Sequence, residues 1–183
     1  KSPEEIRARS IAVSRFLIER GVKLVVVACN TASAIAIDDL RSTFPATKFV
    51  GLEPAVKPAV GMSLTGRVGV LATPRTVSGD RLRVLIEHWA DGVKVHSIAG
   101  NGMVELVEAG ELSGSEVDSV LAPILDPLLE REVDVLVLGC THYPFLRGAI
   151  ENYVGPGIRV IDSGEAIARR TMNLLQADRM LHE

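Results

Sequence analysis

Two cysteines, Cys29 and Cys140, stand in passages built to one plan. VVVACNTASA (25–34) and VLVLGCTHYP (135–144) each read as an apolar strand, a small residue, a Cys, a Thr within two residues, and a helix. A thiolate is a base and a nucleophile, and a nearby helix N-terminus favours it over the thiol. Both cysteines are predicted at the carboxyl end of a strand and beside such a terminus, where α/β sheets gather their ligands. Asn30 and Thr31 follow the first, and Thr141 and His142 the second. Together with backbone N–H groups, these small polar residues could hold a carboxylate. Other readings stay open on the residues alone. A lone Cys in an apolar strand is usually a small core residue. A disulfide suits a reducing compartment poorly. There is no CxxC, and Cys140 with His142 supplies only two metal ligands, so no metal is expected. A Cys–His hydrolase would leave the other cysteine without a role.

The elements that must position these residues alternate. Ser2-Pro3-Glu4-Glu5 is a helix start, with Ser2 as N-cap, and that helix should run to about Arg20 and stop at Gly21. Residues 22–28 form an apolar run broken only by Lys23, as expected of a parallel strand covered on both faces. A helix over 30–43 and a strand over 48–52 follow. Further strands are expected at 67–72, 93–98, 133–138 and 158–161. Helices are expected at 76–90, 101–110, 113–130, 143–153 and from Glu165 onward, with Pro123 and Pro127 kinking the third of these stretches, 113–130. Such alternation argues for an α/β fold with mainly parallel sheets. The twin cysteine passages suit two similar lobes.

Composition narrows the function. The chain has 183 residues, 47% hydrophobic and 23% charged, which excludes disorder. Its 20 basic and 23 acidic residues are mixed, and aromatics make up only 4%, so a base-stacking nucleic-acid module is not expected. No apolar run is long enough to span a bilayer, and KSPEEIRARS does not read as a secretory signal. A cytoplasmic protein with two free thiols is the expectation. Lys1 in place of Met suggests a piece of a longer reading frame.

CNTASA (29–34), GLEPAVKPA (51–59) and GCTHYPFL (139–146) closely resemble the bacterial glutamate racemases. GVLATPRTVSG (69–79), LVEAGEL (106–112) and IDSGEA (161–166) add to the resemblance, which covers nearly the whole chain. Aspartate racemases and related isomerases share the two-cysteine plan but usually carry an acidic residue where this chain has His142. The resemblance implies cofactor-independent interconversion of L- and D-glutamate, supplying D-glutamate for peptidoglycan. By the same resemblance Cys29 takes the α-proton from D-glutamate and Cys140 from L-glutamate. Asn30, Thr31, Thr141 and His142 fall at substrate-binding positions, and His142 supports protonation at Cys140. Thr73 and Thr76 either touch a substrate carboxylate or serve a turn and an N-cap. Glu108 either stands near the site or on a solvated helix face.

Two pseudo-symmetric lobes are implied, 1–53 with 163–183 and 54–162, with the active site between them and Glu53-Pro54 as a hinge. Family members are often homodimers. Two departures stand out. The family's first strand, with an Asp-Ser-Gly-type loop, and a later Tyr-Gly loop precede the segment matching Lys1-Ser2-Pro3. The 183 residues alone are therefore expected to be impaired. Ala99-Gly100-Asn101-Gly102 stands where a Cys-Pro pair is more usual, which should remodel the entry to the following helix. The rival readings are an aspartate or hydantoin racemase and a non-catalytic binding domain on the same scaffold.

Overall fold

Runs of β-branched residues and amphipathic stretches alternate along the chain, and the computed structural model, which describes residues 1–181, folds them as parallel strands and helices. Every strand pairing is parallel, so the carboxyl ends of the strands within a sheet share one edge. The chain divides into two compact units, Lys1–Glu53 with the chain from Ser163 onward, and Pro54–Asp162.

The first unit opens with helix α1 (Pro3–Ile18), where Ser2 caps the N–H of Glu5 and Pro3 takes the first helical position. Strand β1 (Leu24–Val27), helix α2 (Asn30–Thr43) and strand β2 (Lys48–Gly51) form a βαβ unit whose strands pair in register from Leu24–Lys48 to Val27–Gly51. Val25, Ala36, Ile37, Leu40 and Phe49 are its buried core, with Ile11 and Leu17 of α1 packed against them. Arg7 of α1 donates to Asp39 of α2 at 2.9 Å across that packing.

The second unit is a four-stranded sheet of order β4-β3-β5-β6. Its strands are β3 (Arg67–Ala72), β4 (Lys94–Ala99), β5 (Val135–Leu138) and β6 (Arg159–Asp162). Val135 and Val137 of β5 point into one core, beneath helices α3 (Val56–Met62) and α5 (Asp80–Trp89). Leu136 and Leu138 point into the other, beneath α6 (Met103–Ala109), α7 (Ser115–Leu129) and α8 (Arg147–Val154). That double burial is why the strand is apolar at every position. Helix α9 (Gly164–Ala177) follows β6 and belongs to the first unit.

Several elements depart from the sequence expectation. The stretch 76–90 is two helices, α4 (Pro74–Val77) and α5, because Gly79 takes an extended backbone with ψ of 143° and interrupts the helical bonding. A Cβ at Gly79 would lie 3.1 Å from the carbonyl oxygen of Arg75, so the break is built for glycine. The expected helix 143–153 opens as a 3₁₀ turn over Tyr143–Leu146 before α8 begins. With three residues per turn, the 3₁₀ path puts Tyr143 and Leu146 on one buried face. Helix α7, by contrast, agrees with the expected stretch 113–130 and holds Pro123 and Pro127 inside one element. The two prolines are four residues apart and flank the solvent side, where water can reach the carbonyls they leave unpaired. Among the described residues no helix is long and apolar enough to cross a membrane.

Candidate active site

Cys29 is placed by a tight turn. Its N–H donates to the carbonyl of Val27 at 2.8 Å, and the residue then caps α2, with Sγ accepting from the N–H of Ala32 at 3.4 Å. A thiol at the head of a 14-residue helix therefore lies among N–H groups that have no partner within the helix. Ser33 braces the turn. Its hydroxyl donates to the carbonyl of Val27 at 3.0 Å and accepts from the N–H of Leu52 at 2.8 Å, tying together the ends of β1 and β2. The sulfur's residue is exposed, whereas Asn30 beside it is buried with its Oδ1 unpaired. A buried carbonyl oxygen without a partner costs about 1–3 kcal/mol. It is therefore an acceptor suited to an ammonium or amide donor.

Cys140 is placed by its sheet. Strand order reverses between β3 and β5, the switch point where open α/β sheets form their crevice. Thr73 follows β3 and Gly139-Cys140 follows β5 at that point. The N–H of Gly139 donates to the carbonyl of Leu71 at 2.6 Å, and a Cβ there would meet the same oxygen at 2.9 Å. Only glycine lets β5 run so close to β3 before the chain turns out to the cysteine. Cys140 is 8% exposed, and like Cys29 it forms no disulfide. The residues after it form the 3₁₀ turn, not the helix N-terminus expected from the sequence.

A side-chain sequence leads away from this second sulfur. Cys140 Sγ faces His142 Nδ1 at 3.9 Å, and His142 Nε2 lies 2.7 Å from Glu108 Oε1. With Glu108 accepting from Nε2–H, Nδ1 is left as the acceptor facing the sulfur. The sequence left Glu108 open between the site and a solvated face; it pairs with His142 from the last turn of α6. Thr73 caps α4, accepting from the N–H of Thr76 at 3.3 Å, and the two hydroxyls are 3.1 Å apart. Those bonds are the turn and N-cap duty weighed for this pair. Thr31, Thr141 and His142 are half-buried. Cys29, Asn30 and Thr31 belong to the first unit, and Cys140, Thr141 and His142 to the second. Among the described residues, no three His, Cys, Asp or Glu side chains are grouped to hold a metal. One contributor missed at the sequence level is Tyr143. Its place inside GCTHYPFL was the available signal, but nothing in the sequence indicated what its hydroxyl meets.

A parallel α/β unit with a thiol at its switch point, backed by imidazole and carboxylate, defines a class of acid–base enzyme. The Asp/Glu/hydantoin racemase family matches residues 1–171. A glutamate racemase of Herpetosiphon aurantiacus is 48% identical over 182 residues, covering 100% of this chain and 71% of that protein. The crystal structure of Escherichia coli glutamate racemase, in complex with L-glutamate and the activator UDP-MurNAc-ala, is 39% identical with a TM-score of 0.88. That match covers 96% of this chain and 67% of the other. A Francisella tularensis glutamate racemase, crystallised with D-glutamate, is 28% identical with a TM-score of 0.85, over 100% of this chain and 68% of the other. The chain belongs to the Asp/Glu/hydantoin racemase family and is an enzyme of the amino-acid racemase class.

Proposed function

We propose that this protein interconverts L- and D-glutamate with no cofactor, using Cys29 and Cys140 as a pair of acid–base groups. The observation that carries the reading is the occurrence of a cysteine outside any disulfide just beyond a parallel strand in each unit, in a chain whose relatives are glutamate racemases. In the forward direction the Cys140 thiolate takes the α-proton of L-glutamate. The Cys29 thiol returns a proton to the opposite face of the same carbon. One C–H bond breaks and one forms, one S–H forms and one breaks, and the pair ends with its roles exchanged.

The difficult step is making an α-carbon acidic with nothing but the protein to hold the charge. N–H and O–H donors set for a carboxylate of growing enolate character lower that barrier. Thr31 and Thr141 supply hydroxyls, the head of α2 supplies N–H groups, and the unpaired Oδ1 of Asn30 accepts from the substrate ammonium. His142, held by Glu108, moves the proton on and off Cys140. The D-glutamate produced suits peptidoglycan precursor synthesis.

The test is racemisation in D₂O, followed by NMR. A two-thiol enzyme delivers a solvent-derived deuteron to the product while unreacted substrate keeps its proton. Cys29→Ser and Cys140→Ser should each abolish racemisation in a protein that still folds. Normal turnover by either variant contradicts the reading. Turnover of aspartate or a hydantoin in place of glutamate would move the substrate within the family. Glutamate binding with no deuterium incorporation would favour a binding domain.

A further inference from the structure

Tyr143 is the largest fully buried side chain among the described residues, and its hydroxyl donates to the carbonyl of Gly100 at 3.2 Å. Phenylalanine would fill the same apolar space without burying a polar group. The surroundings are nonetheless shaped for the hydroxyl. A Cβ on Gly100 would lie 2.5 Å from Tyr143 Oη and 2.7 Å from Met103 Sδ, so this contact exists only because residue 100 is glycine. That glycine falls in the Ala99–Gly102 stretch that leads from β4 into α6.

The bond joins two segments distant in sequence. On one side, the N–H of Tyr143 donates to the carbonyl of Cys140 at 3.1 Å, so the tyrosine is part of the turn that carries Cys140 and His142. On the other, the N–H of Gly100 donates to the carbonyl of Ala72 at 2.9 Å, anchoring it at the end of β3. The chain then turns through Gly102, at φ +83°, into α6, which bears Glu108. Burial, with Cys140 and Glu105 adding to it, holds the phenol's pKa far above its ordinary value, so it remains a neutral donor at every working pH.

We propose that Tyr143 is a positioning residue, and that its hydrogen bond to Gly100 sets the distance from Glu108 to His142 and so the hold of His142 on Cys140. This rests on the two-thiol reading above. The hydroxyl touches neither substrate nor sulfur in this role; it acts through the placement of α6.

The experiment is peptide-resolved labelling of the full chain with iodoacetamide at neutral pH, with Cys29 as the internal reference. Tyr143→Phe and Glu108→Gln should each slow labelling of Cys140 about fivefold and leave Cys29 unchanged, the scale of one lost hydrogen bond. The double variant should be no slower than either single one, since both weaken the same chain of contacts. Racemisation from L-glutamate should then show a lower kcat with little change in KM. If Tyr143→Phe folds poorly, Gly100→Ala displaces the hydroxyl from the other side and should give the same pattern. Unchanged Cys140 labelling in a Tyr143→Phe protein with lowered Tm would reduce the tyrosine to packing and overturn the proposal, as would full additivity with Glu108→Gln. Persistent α-proton exchange in Cys140→Ser would instead defeat the two-thiol reading, and the labelling result stands apart from it.

Discussion

At the scale of single residues, the two thiols have different neighbours. Cys29 is exposed at a helix head, while Cys140 is nearly buried and faces an imidazole that is itself held by a carboxylate. A substitution in that side-chain sequence should therefore act on the proton transfer at Cys140 more than on the one at Cys29. Glu108→Gln keeps the size of the side chain and removes its charge. Its loss should lower kcat by about tenfold, less than the roughly hundredfold of a direct general acid–base group, because Glu108 acts through His142. Because enantiomers have equal free energy, kcat/KM should fall by the same factor from L- and from D-glutamate, in initial rates measured by chiral analysis at low conversion. An unchanged kcat/KM in the variant would place Glu108 outside the proton transfer at Cys140.

At the scale of elements, close backbone approaches and loop anchors aim the site. Gly139→Ala would drive a methyl to within 2.9 Å of the Leu71 carbonyl, which sits in a sheet and cannot move aside. We expect a loss of about 2 kcal/mol in denaturant unfolding and a disproportionate loss of turnover, because the clash lies one residue before Cys140. Asp134 anchors the opposite end of the same sheet. It accepts from Ser63 Oγ at 2.6 Å, from the N–H of Thr65 at 2.9 Å and from the N–H of Leu64, pinning the loop between α3 and β3. Burial raises its pKa, but these hydrogen bonds outweigh that and hold it below the ordinary aspartate value. A carboxyl depressed in this way stabilises the fold above its unfolded pKa, and that stability is lost as pH falls through the folded value. Asp134→Asn should cost about 1 kcal/mol at pH 7 and remove part of the acid sensitivity below about pH 4, read from urea midpoints at several pH values. A wild-type-like acid limb in the variant would show that the anchor does not depend on charge. Element boundaries were legible where local signals agree: Ser2-Pro3 starts α1, and α2 occupies 30–43 as its periodicity predicts. They failed at Gly79 and Tyr143, because an extended glycine and a 3₁₀ turn are chosen by packing against other elements.

At the scale of the whole molecule, the chain spans about two thirds of the length of the racemases it matches. The first unit contributes a two-stranded sheet, and Val26 in its strand β1 is 39% exposed. The 183 residues by themselves should therefore incorporate deuterium into glutamate at least about tenfold more slowly than a relative of full length. That scale corresponds to a modest loss of positioning at a site that depends on exact placement. Equal rates would show that everything the reaction requires is within this chain.

The sequence by itself determined the α/β alternation, the apolar strands and the placing of both cysteines just beyond strand ends. Each follows from local chemistry: a strand buried on both faces, such as β5, must be apolar throughout, and a strand-to-helix turn ends where small polar residues begin; β1, expected to be covered on both faces, is as apolar but leaves Val26 exposed. Only the tertiary structure decided that Glu108 meets His142 across 34 residues, and that Tyr143 reaches Gly100 across 43. Periodicity records which face of its own element a residue occupies. Which other element covers that face is settled by strand order, here the reversal between β3 and β5, which no local pattern encodes.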